Sequence, residues 1–182
     1  VDAARELFGA EGFEHVGTER IVRKAGVTRG ALYHHFKDKR GLFEAVFELV
    51  EDQATQAAAN AAVGSGATDA RAASVDGARA YLEFCLASDV RRILFVDSRV
   101  VISDARLREI TEQYGVALIR AMFTAMIEGK QIRPLSVELL SALVAGMLIE
   151  GASFASESED QGSAVDAVVE LFELFLDGLA PD

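Results

Sequence analysis

The side chains best suited to chemistry crowd into one short stretch, "TRGALYHHFKDK", Thr28 to Lys39. If Leu32 and Phe36, four residues apart, face inward on a helix, then Thr28, Arg29, Gly30, Ala31, Tyr33 and His34 face outward. Those types fit a DNA groove. Arg29 can reach a guanine edge through two parallel hydrogen bonds. Gly30 and Ala31 are small enough for the backbone to approach the bases. The hydroxyls of Thr28 and Tyr33, and the His34 ring, suit phosphate oxygens. Lys39 falls in the first turn of the next helix, where its ammonium and the free N–H groups of the helix start both favour a phosphate. His35, beside Phe36, is expected to pack toward the interior, and His15 to lie in a turn.

Other chemistries find no matching pattern. The three histidines and Cys85 show no metal-ligand spacing. No nucleophile stands at a telling distance from a base, and "GSG" at 64–66 reads as a loop and not as a phosphate cradle. The expectation is a protein that is not an enzyme and needs no metal or cofactor. The lone Cys85 excludes an internal disulfide and fits a reducing compartment, as a small buried hydrophobe.

The overall charge of −11 speaks against a polyanionic partner, but its distribution does not. Residues 1–40 carry eight Lys/Arg and six Asp/Glu, whereas residues 41–182 carry ten and twenty-three. Between positions 20 and 40 the cations Arg20, Arg23, Lys24, Arg29, Lys37, Lys39 and Arg40 face a single acid, Asp38. DNA meets that local patch and not the molecular average.

The elements that must position this patch follow from spacing. Only two prolines occur, and apolar residues recur at intervals of three and four, which predicts an all-α chain. A first helix spans Asp2 to Glu11 and stops at Gly12. Thr18 is expected to cap a second, Glu19 to Ala25, with Ile21, Val22 and Ala25 inward. Gly26 supplies a sharp turn, and Val27 fills the space between helices. Thr28 caps a third helix reaching about Phe36, and Asp38 caps a fourth. Two helices joined by a tight Gly turn form a helix-turn-helix. The stretch Ala57 to Ala70 reads as a loop. Further helices are expected at about Arg71–Ala87, Val90–Ser98, Asp104–Glu128, Leu135–Ser156 and Ser163–Leu179, with a polar loop from Ser156 to Gly162. The longest nearly apolar run, Leu139–Ile149 between Glu138 and Glu150, is shorter than the roughly 18 residues a bilayer span requires. With no signal peptide in view, the reading is a cytoplasmic protein without a membrane partner. The chain begins at Val1 and not at Met, which is consistent with a further N-terminal arm.

The segment "TERIVRKAGVTRGALYHHFKDKRGLFEAV" resembles the DNA-binding region of the TetR family of transcriptional regulators. The matching elements are Thr18, the Ala25-Gly26-Val27 turn, Thr28, Gly30, Leu32-Tyr33, His35-Phe36, Lys39 and Leu42-Phe43. The upstream "AARELFGAEGFEHVGTERI" is similar to that family's first helix and its Gly-Phe turn. The resemblance implies a three-helix DNA-binding domain at 1–46 and a larger helical ligand-binding and dimerisation domain at 47–182. It implies a homodimer that represses transcription from a palindromic operator and lets go when a small effector binds. Carried over by position, it implies DNA contacts from Thr18, Thr28, Arg29, Gly30, Ala31, Tyr33, His34 and Lys39.

In the second half, "AVDAVVELFELFLDGL" presents Val165, Val168, Val169, Phe172, Phe175, Leu176 and Leu179 at helical spacing. An ordinary core face and a dimer interface both fit. The resemblance favours a four-helix dimer bundle, made by Leu143, Met147, Val165, Val168, Phe172, Phe175 and Leu176. An effector pocket between the middle helices would draw on Phe84, Phe95, Tyr114, Met122, Phe123, Met126, Met147 and Phe154, which suits a mainly apolar ligand. Asp97 and Arg99 interrupt an apolar run; they are candidates to orient a polar ligand group or to gate a hinge, and pairing with other charges or facing solvent fits them equally. The alternatives are a helical protein-interaction module, or an activator of the same fold without small-molecule induction.

Overall fold

A computed structural model describes residues 1–64, 66–67 and 69–181. In chain order the helices are α1 (Asp2–Glu11), α2 (Thr18–Ala25), α3 (Arg29–His35), α4 (Lys39–Gly64), α5 (Ala70–Cys85), α6 (Ser88–Arg91), α7 (Ser98–Val101), α8 (Asp104–Thr111), α9 (Ala117–Glu128), α10 (Val137–Glu157) and α11 (Gln161–Asp177), with π-helical turns at Arg92–Asp97 and Glu112–Val116. No strand occurs among the described residues, so the all-α expectation holds. The chain divides into two compact units. One is Val1–Glu51 with Ala87–Ile110, and the other is Asp52–Leu86 with the residues from Thr111 onward. Segment 1–46 lies whole within the first unit.

Local chemistry sets most boundaries. Gly12 ends α1 at φ 87°, and Gly26 ends α2 at φ 67°, a left-handed conformation that side chains with a Cβ rarely adopt. The Thr28 hydroxyl accepts from the Ala31 N–H at 3.2 Å and starts α3, and the Asp38 carboxylate accepts from Gly41 N–H at 2.8 Å. Asp69, Ser136 and Asp160 do the same for α5, α10 and α11. Thr18 departs from expectation. It is the first residue of α2, preceded by Gly17 as an N-cap without a side-chain bond.

Three further expectations are corrected. The helix α4 runs through the Ala-rich segment to Gly64 and does not break at Ala57. Alanine carries the lowest cost of any residue in a helix, so loss of an apolar stripe there does not mean loss of helix. Small residues are used for close approach: a Cβ on Gly77 of α5 would stand 3.1 Å from the Ala58 carbonyl oxygen. The helices expected at 90–98 and 104–128 each contain a π turn. The polar loop after α10 is shorter than expected, because Asp160 already caps α11.

In the first unit the rings of Phe8, Phe13 and Phe43 meet with centroids 5.3 to 5.6 Å apart, joining α1, the α1–α2 turn and α4. Phe8 and Phe43 are fully buried, as are Val16, Val46 and Val50. Along α4, Arg106 of α8 pairs with Glu44 and Glu48. In the second unit α10 packs on α5, α9 and α11 around Phe123, Met126, Val144, Phe172 and Leu176. By length and composition alone α10 is apolar enough to cross a membrane, contrary to the shorter run read from sequence. Its Leu140, Val144, Leu148 and Ala152 line is instead buried inside this unit.

The helices α10 and α11 approach closely at Gly151. A Cβ there would lie 2.6 Å from Val168 Cγ1 and 3.2 Å from Cγ2. Val168 is β-branched and buried, so it cannot rotate away cheaply. Gly151→Ala is expected to destabilise the chain by about 1–3 kcal/mol, as overpacking does, read as a lower urea midpoint. An unchanged midpoint would show that α10 and α11 can separate freely at this point.

Candidate nucleic-acid interface

The helix α3 has seven residues, too few to be stable alone. One buried side chain, Leu32, roots it, and Thr28 caps it. Everything else on it is available. Arg29, Gly30, Ala31, Tyr33 and His34 are exposed, as is Thr28 before them. The guanidinium of Arg29 stands 5.5 Å from the Tyr33 ring centroid and 3.9 Å from a Glu19 oxygen. Both members of that ion pair are well exposed, so it holds Arg29 weakly. The Tyr33 hydroxyl lies 3.5 Å from the Thr18 hydroxyl, linking the second half of α3 to the start of α2. Thr18 is therefore positioned next to the reading face.

Not every cation of the patch faces outward for DNA. Arg20 donates to both oxygens of Glu11, at 2.5 and 2.7 Å, and Lys24 pairs with Glu6 at 2.7 Å. These pairs fasten α2 to α1. The Arg20 guanidinium holds the Glu11 carboxyl below the usual carboxylate range, chiefly through those hydrogen bonds. Lys39, expected as a phosphate clamp, is drawn inward. Its ammonium donates to Phe13 O at 2.8 Å and Val16 O at 3.2 Å and lies 4.0 Å from the Phe13 ring centroid. Two of its three donors thus close the α1–α2 turn, which leaves one for a phosphate. Val27 and Ala25 are exposed and do not fill an interhelical space, and His35 is exposed and packs edge-on against the His34 ring.

This capped, sparsely rooted helix behind a tight glycine turn is the geometry of a helix-turn-helix reading head. Residues 1–46 match the tetR family of bacterial regulatory proteins, and residues 71–179 match the tetracyclin repressor-like C-terminal domain. The chain belongs to the TetR family. The Transposon Tn10 TetC protein of Escherichia coli is 24% identical over 176 residues, 97% of this chain and 88% of that protein. The regulator AcrR of Shigella flexneri is 47% identical over 51 residues, which span 28% of this chain and 24% of AcrR. A crystal structure of a TetR-family regulator from Pectobacterium atrosepticum matches all of this chain and 92% of its own at TM-score 0.79 and 29% identity. The regulator FadR of Bacillus subtilis, solved in complex with stearoyl-CoA, shares the fold at TM-score 0.75 and 18% identity, over 93% of this chain and 94% of its own. This TetR-family chain is a DNA-binding transcriptional regulator.

The side chains nominated for an effector are divided between the two units. Phe95 and Asp97 belong to the first unit, where Phe95 is buried. Asp97 accepts a hydrogen bond from the Phe13 N–H at 2.7 Å, which ties it to the α1–α2 turn. In the second unit Phe123 and Met126 are fully buried within the helix core, and Met122 and Met147 pack against it. Phe84 and Tyr114 are half-buried. Phe154, at 63% exposure, lies on the surface and lines no interior space.

Most side chains nominated for a dimer interface lie within the core of their own chain. Val165, Val168, Phe172 and Leu176 of α11 are buried in their own chain, and Phe175 packs against that core. Leu143 is exposed as expected. Leu139, Leu171 and Leu174, not singled out from the sequence, are exposed by more than half, with Leu143 and Phe154. The signal for them is present as a second apolar line on each helix, 139/143 and 171/174, beside the more strongly apolar inward line.

Proposed function

We propose that the protein is a cytoplasmic, effector-responsive repressor that binds a palindromic operator as a homodimer. The observation that carries this reading is the α3 face, where Thr28, Arg29, Gly30, Ala31, Tyr33 and His34 stand exposed on a capped helix rooted by one leucine. The dimer is supported by the apolar line on α10 and α11. Leu139, Leu143 and Phe154 lie beside Gly146, where a Cβ would meet nothing within 4 Å, and Leu171 and Leu174 extend the surface. Exposed apolar patches of this kind mark interaction sites. Two copies joined along it carry two reading heads, which suits half-sites about 34 Å apart on one side of the duplex. For the effector, the aromatic and Met-rich interior of the second unit supports a mainly apolar molecule, in line with the acyl-CoA bound by FadR.

The experiment is selection of duplexes from a random pool at low salt. An enriched inverted repeat is the expected result. Recovery of no motif, together with no salt-dependent binding to any duplex, would remove the reading. Within it, Arg29→Ala is expected to weaken binding to the selected site by about 1–3 kcal/mol and to flatten base preference at the position it contacts. Repeating the selection with the variant checks this. An unchanged motif would take Arg29 out of base reading.

A further inference from the structure

We propose that Asp97 is a positioning residue for DNA reading: from the end of a π-helical turn, its carboxylate fixes the α1–α2 turn that carries the helix-turn-helix. The inference rests on the DNA-binding reading above.

Phe13 is held from both sides of its backbone. Its N–H donates to Asp97 Oδ2 at 2.7 Å, across 84 residues of sequence, and its carbonyl accepts from Lys39 Nζ at 2.8 Å. Its ring is locked between Phe8 and Phe43. A second tie lies three residues earlier, where Arg92 donates to the Ala10 carbonyl near the end of α1. Further back along α1, Arg5 pairs with Asp89, and Gly9 leaves room for the Asp89 side chain, which a Cβ would meet at 2.6 Å. The segment from Asp89 to Asp97 therefore grips the last two turns of α1 and the start of the turn beyond it.

The double grip comes from the two ends of the π turn, Arg92 and Asp97. Arg92 and Asp97 are five residues apart. In an α-helix that spacing separates two side chains by about 140° around the axis. In a helix bonded from i to i+5 each residue turns the chain through a smaller angle, so residues five apart come closer to one face, and both Arg92 and Asp97 reach α1. From Phe13 the chain continues to Gly17, whose carbonyl accepts from Arg20 N–H at 3.1 Å and begins α2. Thr18 follows at once and meets Tyr33 of α3. A shift of the turn is thus a shift of the start of α2 and, through it, of the reading helix. A carboxylate acceptor is the strong form of such a tie, and without it the N–H of Phe13, a buried residue, is left unpaired.

The test uses the full chain with Asp97→Ala and Asp97→Asn. Two measurements are made: affinity for a labelled duplex bearing the selected repeat, and amide hydrogen exchange at Phe13. The alanine variant is expected to bind about tenfold more weakly and to lose protection at Phe13. The asparagine variant, whose amide oxygen still accepts, is expected to stay within about threefold of wild type and to keep that protection. A merely structural role would move both variants together through the melting temperature. Equal losses in the two variants, or wild-type affinity with alanine, would overturn the proposal. So would unchanged exchange at Phe13 in the alanine variant. If the wild type binds no duplex at all, the DNA-binding reading itself fails and the positioning role falls with it, a result distinct from wild-type binding that survives the substitution.

Discussion

Arginine at both Leu143 and Leu174 is expected to hold the protein monomeric and to cut operator affinity by about a hundredfold or more. Both leucines are more than half exposed in the single chain, so the substitutions leave the core of each subunit alone. On the proposed dimer face the same changes place guanidinium groups in an apolar seam, where an unpaired charge is strongly disfavoured. The loss of affinity follows from geometry. A dimer binds its second half-site as an intramolecular event, and that advantage is typically worth two to four decades. Light scattering gives the mass, and fluorescence anisotropy on the selected repeat gives the affinity. A variant that stays dimeric would place the interface elsewhere. One that becomes monomeric yet binds as tightly as wild type would show that each head reads alone.

The second large effect concerns Glu51 of α4, which is buried, at 6% exposure. Burial alone pushes its carboxyl up from 4.5 to about 7. Between those values the folded chain holds a proton that the unfolded chain has released. The contribution of this group to stability is therefore greatest below pH 4.5, declines as pH rises toward 7, and is level above that. A displacement of that size corresponds to about 3 kcal/mol. Glu51→Gln keeps the shape and cannot ionise, so its advantage over wild type is expected to be near zero at pH 4.5 and to grow to about 3 kcal/mol by pH 8. Urea unfolding of both proteins at the two pH values isolates this group, since every other titration is shared. A constant difference across the range would show that Glu51 is not the source.

Much of the first fifty residues was legible because their boundaries are written in local chemistry. Gly12, Gly26, Thr28 and Asp38 act on backbone groups within a few positions of themselves, and each was found where it was read. What depended on distant partners was not legible. Nothing near Asp97 announces Phe13, and Lys39 has the same type and spacing whether its donors face a phosphate or the carbonyls of a turn. The π turns were hidden for another reason, since an extra residue only rotates the apolar stripe and leaves its local period nearly intact. On α11 the period was right, and the line nominated for a partner packs within its own chain. Both sides of that helix carry large apolar residues, and pattern alone does not say which side meets its own chain. The Ala-rich end of α4 was lost because the sequence signal sought was a stripe, and alanine needs none.

The single leucine that roots α3 has a consequence for how this regulator can change over time. Thr28, Arg29, Gly30, Ala31, Tyr33 and His34 face outward, and none of them is part of the core. Apart from the Thr28 cap, substitutions at exposed sites of this kind usually alter stability by less than about 0.5 kcal/mol. The positions proposed to read a DNA sequence are thus, Thr28 aside, nearly uncoupled from those that keep the protein folded. A lineage, or a selection in the laboratory, can search new operators across them while the margin of stability stays almost untouched.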